Sequence, residues 1–238
     1  MERRLVAAAV LLGLLLAIGM AAAGALVGRA LYQARATERF VTVKGLSERE
    51  VPADLVIWPI VFSVTGDDLS ALQERMETDA AAVREFLSGL GFSAEETSLS
   101  APRVTDRAAQ FYGQGAPDDR YVVEATLTAR TGDVERARRA MERSGELVKA
   151  GVTLIRSYEY QTQYFFTGLE AVKPEMIAEA TQDARRAAQQ FAADSGSSVG
   201  AIRNAQQGYF SIEDRDAFTP EQKKVRVVTT VQYFLADE

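Results

Sequence analysis

The chain has 238 residues, 47% of them apolar and 25% charged, with a formal net charge of −6. Those fractions are those of an ordinary folded protein, and the acidic balance argues against a basic nucleic-acid surface, so no nucleic-acid partner is expected. With neither cysteine nor histidine, disulfides, thiolate nucleophiles, Cys-ligated metals and imidazole bases are excluded.

Met1-Glu2-Arg3-Arg4 precedes an uncharged stretch from Leu5 to Gly28. As a helix it is roughly 36 Å long, more than a ~30 Å hydrocarbon core requires. Leu5, Leu12, Leu16, Gly24 and Gly28 mark the expected membrane-spanning segment, with membrane lipid as the partner. Two fates stay open. Ala21-Ala22-Ala23 before Gly24 fits a signal-peptidase site, but the apolar run continues through Ala25, Leu26 and Val27, which favours a retained anchor. Arg3 and Arg4 favour a cytoplasmic N-terminus, while Arg29, Arg35 and Arg39 pull the other way. The four-residue leading tail resembles a signal-anchor, which places the folded part outside the cytoplasm. Gly24 and Gly28 form a GxxxG, which permits close helix approach in lipid.

Residues 1–36 are therefore read as anchor and linker, and 37–238 as the folded domain. Thr37 to Lys44 and Leu55 to Val64 read as strands, the second carrying Trp58 for the core and Pro59, which implies an edge or a bulge. Asp67 or Asp68 caps a helix whose stripe is Leu69, Leu72, Met76, Ala80, Val83, Leu87 and Leu90, ended by Gly89 and Gly91. Strands are expected over Thr97–Val104 and Tyr121–Ala129, joined by a glycine-bearing connector from Gln110 to Asp119. Asp133 caps a second helix with Val134, Ala137, Met141 and Val148 on one face. Arg136, Arg138, Arg139 and Arg143, interleaved with Glu135, Glu142 and Glu146, read as its solvated face.

Val152 to Phe166 reads as a long aromatic strand, with Tyr158, Tyr160 and Tyr164 expected beneath a helix. Pro174 suits the first turn of a third helix with the stripe Ile177, Ala180, Ala184, Ala187, Ala188 and Phe191, stopped by Gly196. Strands from Val199 to Phe210 and Val225 to Phe234 close the chain. An offset of about one hundred residues suggests a duplicated β-α-β-β unit, about 54–131 and 152–236. The fold class is α+β: an N-terminal transmembrane helix, then a mainly antiparallel sheet with helices packed on it.

That order of elements, with Val41-Thr-Val-Lys-Gly45, Glu50-Val-Pro-Ala-Asp54, Asp183-Ala-Arg-Arg-Ala187, Gly196, Gly200 and the alternating Val225, Val227 and Val231, resembles the SIMPL-domain family of bacterial envelope proteins over about Phe40 to Leu235. One departure is Leu46-Ser47 after Gly45, where the family often has a second glycine. The resemblance implies a secreted or membrane-anchored protein, often periplasmic, linked to tolerance of oxidative and other envelope stress, with some members assembling into rings or channel-like oligomers. It brings no catalytic residues.

The paired acids Asp67-Asp68, Glu95-Glu96, Asp118-Asp119 and Asp214/Asp216 are read as caps and polar connectors rather than acid/base or cation sites. Gly113-Gln114-Gly115 lacks the lysine of a phosphate loop. No catalytic, metal or cofactor site is therefore expected, and the chain is read as a non-enzyme. The leading expectation is a homo-oligomeric, single-pass protein of the bacterial inner membrane with its soluble domain in the periplasm, a scaffold or channel-like chamber. Gly24, Gly28, Phe111, Tyr112 and Phe218 are its candidate oligomer contacts. The alternative is a periplasmic binding module for a small apolar or aromatic ligand at the tyrosine face.

Overall fold

The computed structural model describes residues 2–36, 39–110, 118–156 and 158–237. Helix α1 (Glu2–Ala36) contains one apolar segment long enough to cross a membrane, Leu12–Ala30, with every side chain exposed. The rest divides into two units. Unit one comprises Met1–Ser47, Glu175–Tyr209 and Val227–Glu238; unit two comprises Glu48–Pro174 and Phe210–Arg226. The boundary falls inside three elements: β1 (Phe40–Pro52), α6 (Leu169–Asp194) and β9 (Gln222–Asp237). The fold is α+β, with antiparallel ladders throughout the second unit and between β7 and β9.

Unit two is built on β2 (Leu55–Gly66), which pairs from Val56 to Gly66 with β5 (Tyr121–Thr131). The short strands β3 (Thr97–Leu99) and β4 (Arg103–Asp106) both pair with β5 on its far side, and β6 (Gln163–Phe165) pairs with β2 at Leu55–Ile57. The expected strand 97–104 is broken by Pro102, which has no N–H for the ladder. Ser100 fills in, its backbone N–H donating to the Thr126 carbonyl and its hydroxyl accepting from the Thr126 N–H at 3.0 Å. Helix α2 (Leu69–Gly89) lays Leu72, Met76, Ala80, Val83 and Leu87 on this sheet, with Trp58, Phe62 and Leu127 in the same core. Leu69 is exposed and Leu90 packs only at the margin. Asp68 caps α2, accepting from the Ser70 and Ala71 N–H groups. Gly91, at φ +84°, makes the left-handed exit that favours glycine.

The second expected helix is two pieces, α4 (Val134–Glu142) and α5 (Gly145–Lys149), and a four-residue helix, α3 (Arg107–Gln110), follows β4. The break at Arg143–Ser144 shifts the helical phase, so Leu147 enters the core and Val148, expected inside, is exposed.

The expected strand 152–166 is not one strand. Its start bonds to β2 through Thr153 and Ile155, and its end returns as β6. Between them lies Pro59. Ser63 donates toward Thr153 and Val61 accepts from Ile155, so by two-residue alternation Pro59 also turns its nitrogen to this side. It has no proton to donate there, and the chain leaves the ladder. Tyr158 is consequently 88% exposed and Tyr160 40% exposed, overturning the expectation that they lie beneath a helix. Only Tyr164 is half-buried, packed on the core, with burial pushing its phenol pKa up.

In unit one the strand order is β1–β9–β7 (β7, Ser197–Gln207), with β8 (Ser211–Asp214) of unit two pairing β9 further along. Ala184 and Ala188 of α6 pack on Val41, Val231 and Tyr233. The buried stripe of α6 is Met176, Ala180, Ala184, Ala188 and Ala192, with Ile177 only half-buried and Ala187 and Phe191 outside it. Pro174 is its sixth residue rather than part of its first turn. The strand beside β9 is β1, not the 152–166 segment, so the duplicated unit expected over 152–236 does not appear in the pairing.

Candidate functional site

Three of the segments that carried the family resemblance, around Gly45, Asp54 and Asp183, form two joints. In unit one, Gly45 of β1 faces α6 so closely that an added Cβ would overlap the Ala180 carbonyl oxygen and the Ala184 nitrogen. The next two residues lock the strand to the helix. The Leu46 N–H donates to Asp183 Oδ2 at 3.0 Å, and the Ser47 hydroxyl donates to Glu179 Oε2 at 2.6 Å. Asp183 also pairs with Arg186 at 3.0 Å. The Leu46 N–H, aided by Arg186, holds the Asp183 carboxyl below its ordinary range. Leu46-Ser47, the departure from the family pattern, thus supplies both polar ties.

In unit two, Asp54 sits at the β1–β2 corner and caps the start of α6 from outside that helix. Its carboxylate accepts from the Thr167 N–H at 2.7 Å and the Gly168 N–H at 2.9 Å. Its own N–H donates to the Phe165 carbonyl, and that of Ala53 to the Glu221 carbonyl. These two N–H groups lie immediately before α6, so the carboxylate fixes the chain where the helix begins, five residues ahead of Pro174.

The turn between β8 and β9 is organised by Asp216. Its carboxylate accepts from the Phe218 N–H, the Thr219 N–H and the Thr219 hydroxyl at 2.8, 2.8 and 2.6 Å, and from Arg215 at 3.1 Å. These bonds hold its pKa well below the usual carboxylate range, the Thr219 hydroxyl contributing most. Arg215 also reaches the Thr219 hydroxyl and Glu50. The turn is therefore fixed, yet it presents Phe218 94% exposed.

A groove of about 380 Å³ lies beside β5, lined by Val61, Ser100, Arg103, Glu124, Tyr158 and Tyr160. The two tyrosines also line a hollow reaching Trp58 and Gln161, so they form a wall between the two. Arg103 donates to the Tyr160 hydroxyl at 3.2 Å and lies 3.7 Å from Glu159. Such a groove offers ring faces to stack on and mixed charge at its rim.

The remaining candidates named from the sequence separate by position. Asp67 accepts from the Arg120 N–H, Asp119 from the Thr65 hydroxyl, Glu96 closes a capping box on Ser93, and Asp214 holds Lys223. Each pair thus has at least one member with a structural task, and among the described residues no cluster of three or more carboxylates could hold a metal ion. In the basic run, Arg138 pairs with Glu135 and Glu142, and Arg143 with Glu146. Arg136 instead turns inward to Glu96 and stacks on Phe92 at 4.7 Å. Leu12 and Leu16 are exposed along α1, and a Cβ at Gly24 or Gly28 would meet nothing. The Leu5 side chain, Phe111, Tyr112 and Gly113-Gln114-Gly115 lie outside the described residues.

Sequence reasoning missed two features. From Gly200 to Gln207 every side chain of β7 is exposed, and among the described residues that strand has a neighbour on one side only. Arg203 on it stacks over Phe40 at 4.1 Å and reaches Phe234 at 6.0 Å. The polar run Arg203-Asn204-Ala205-Gln206-Gln207 was the available signal for an uncovered strand.

A family model described as "SIMPL: Protein of unknown function (DUF541)" matches residues 41–233. The match takes in both joints, the Asp216 turn and the tyrosine groove. No curated protein matches the chain. The chain belongs to the SIMPL family.

Proposed function

We propose that this SIMPL-family chain is a non-catalytic, single-pass protein of the bacterial inner membrane. Its folded part faces the periplasm and self-assembles into an oligomeric scaffold or channel-like chamber that serves tolerance of envelope or oxidative stress. The observation that carries the reading is Phe218, a fully presented aromatic on a turn that Asp216 and Arg215 hold rigid. Exposed aromatics on pre-organised supports are the usual anchors of protein interfaces, because they bury large area with little entropy lost on binding. The uncovered edge of β7 adds a row of backbone groups suited to pairing with another strand. Helix α1, apolar and exposed from Leu12 to Ala30, supports anchorage.

Light scattering of the full-length protein in detergent tests the proposal. The wild type runs as a closed oligomer, and Phe218→Ser shifts it to smaller species without changing its circular dichroism. A wild type that stays monomeric at high micromolar concentration overturns the assembly.

A second reading draws on the tyrosine groove: a periplasmic binding module for a small aromatic or apolar ligand. The exposed rings of Tyr158 and Tyr160 above Val61 favour it. A melting shift with aromatic compounds that disappears in Tyr158→Ser, in a protein that stays monomeric, moves the preference to this reading.

A further inference from the structure

Strand β2 has two edges, and only the one against β5 is paired from Val56 onward. Its odd-numbered residues turn their backbone groups to the other edge. There Leu55 to Ile57 meet β6, Val61 accepts from the Ile155 N–H at 2.9 Å, and the Ser63 N–H donates to the Thr153 carbonyl at 3.0 Å. Between these two stretches the returning chain stands off. From Leu154, opposite Phe62, to Gln163, opposite Ile57, it takes nine residue steps where β2 takes five. The surplus of four keeps it away from β2, and an even surplus leaves both ends on their proper faces.

Two backbone groups of β2 face that gap. The Val61 N–H and the Pro59 carbonyl both point there by alternation, and neither meets a partner among the described residues. Val61 is only 7% exposed. Backbone groups this deep are nearly always paired, because losing water without gaining a partner costs free energy. The two groups open on a hollow of about 710 Å³, lined by Trp58, Pro59 and Val61 of β2 and by Tyr158 and Gln161 of the returning chain. A space of that size suits a small ligand.

A donor and an acceptor that flank one strand residue are complementary to one residue of an opposing antiparallel strand. The carbonyl before the guest residue accepts from the Val61 N–H, and the N–H after it donates to the Pro59 carbonyl. The guest residue then lies opposite Ile60, so its side chain falls on the face that carries Trp58. The returning chain is bonded to β2 on both sides of the gap, which admits a short guest rather than a through-running strand. We propose that this hollow binds an acylated amino-acid amide with an aromatic or apolar side chain, held in extended form by Val61 and Pro59 beside Trp58. The inference rests on the reading of the tyrosine-walled hollow as a ligand site, and adds that the ligand is recognised through its peptide groups.

Trp58 is the single tryptophan of the protein, so its fluorescence reports on this hollow in the full-length chain in detergent. Three probes are titrated. N-acetylphenylalanine N-methylamide carries both peptide groups. Its methyl ester has the same shape without the donor to Pro59, and 3-phenylpropanol offers a ring without peptide groups. The methylamide is expected to bind about tenfold more tightly than either of the others. Val61→Pro removes the other donor, at an edge that already accommodates Pro59. It is expected to weaken the methylamide about tenfold and to leave 3-phenylpropanol unchanged, at an unaltered circular dichroism spectrum. Where that variant does not fold, the comparison of methylamide and ester on the wild type decides alone. Equal binding of the three probes keeps the ligand site and overturns recognition through peptide groups. Full methylamide affinity in folded Val61→Pro overturns the assignment to the β2 edge. Binding of none of the probes overturns the inference and the ligand-site reading together.

Discussion

Gly45 lies against the backbone of Ala184 at a separation that only a glycine permits. Strand β1 and helix α6 meet there main chain to main chain, and the small stripe Ala180, Ala184 and Ala188 exists on the helix for the same reason.

Gly45→Ala forces the two backbones apart and misaligns the Leu46–Asp183 and Ser47–Glu179 bonds. Overpacking of this kind costs about 1–3 kcal/mol, more where backbone must move. A urea midpoint unchanged within error rules out the tight approach.

The Asp183 carboxyl is held below its ordinary value by the Leu46 N–H and Arg186. A carboxylate whose folded pKa is depressed contributes stability that is fully present above the unfolded value, about 3.9, and is lost as pH falls through the folded one. Urea midpoints measured downward from neutral pH should therefore drop below pH ~4. Asp183→Asn should be weaker near neutrality and flatter across that window. Parallel curves for the two proteins exclude Asp183 as a source of acid sensitivity.

Asp54→Ala removes the acceptor for two helix-start N–H groups. The loss of a capping side chain costs about 0.5–2 kcal/mol. Hydrogen exchange should rise at Thr167 and Gly168 first. Unchanged protection at those two amides shows that the cap is not needed.

Leu87 is fully buried beneath α2. Leu87→Ala is expected to cost about 2–5 kcal/mol. A loss under ~0.5 kcal/mol places the side chain on the surface.

Native membranes washed with alkaline carbonate should retain the protein with Met1 or Glu2 at its N-terminus. A mature chain beginning at Gly24 makes it an exported soluble protein.

The parts of the fold legible in the sequence are those set by local rules. Asp68, the Leu72–Leu87 stripe and Gly91 define α2 from start to stop with no help from elsewhere in the chain. Pro59 was legible as a ladder breaker, but not that it would release a segment far along the chain and lift Tyr158 and Tyr160 into solvent. The cap that starts α6 was hidden for the same reason, because Asp54 and Gly168 are 114 residues apart. The motif residues around Gly45 and Asp183 were visible as a pattern; their partnership depends on a strand meeting a helix distant in sequence. The stack of Arg203 on Phe40 follows an irregular register between β7 and β9 near Ile202, which residue spacing does not reveal.

The neighbouring position of β1 and β9 bears on how the protein is made. Roughly 180 residues of chain separate the starts of these two strands. At synthesis rates of about 5–20 residues per second, β1 waits roughly ten to forty seconds for its partner. Through that interval its sheet edges are unpaired. The first part of the folded region to leave the ribosome is thus among the last to be completed, and any factor that shields it has that window in which to act.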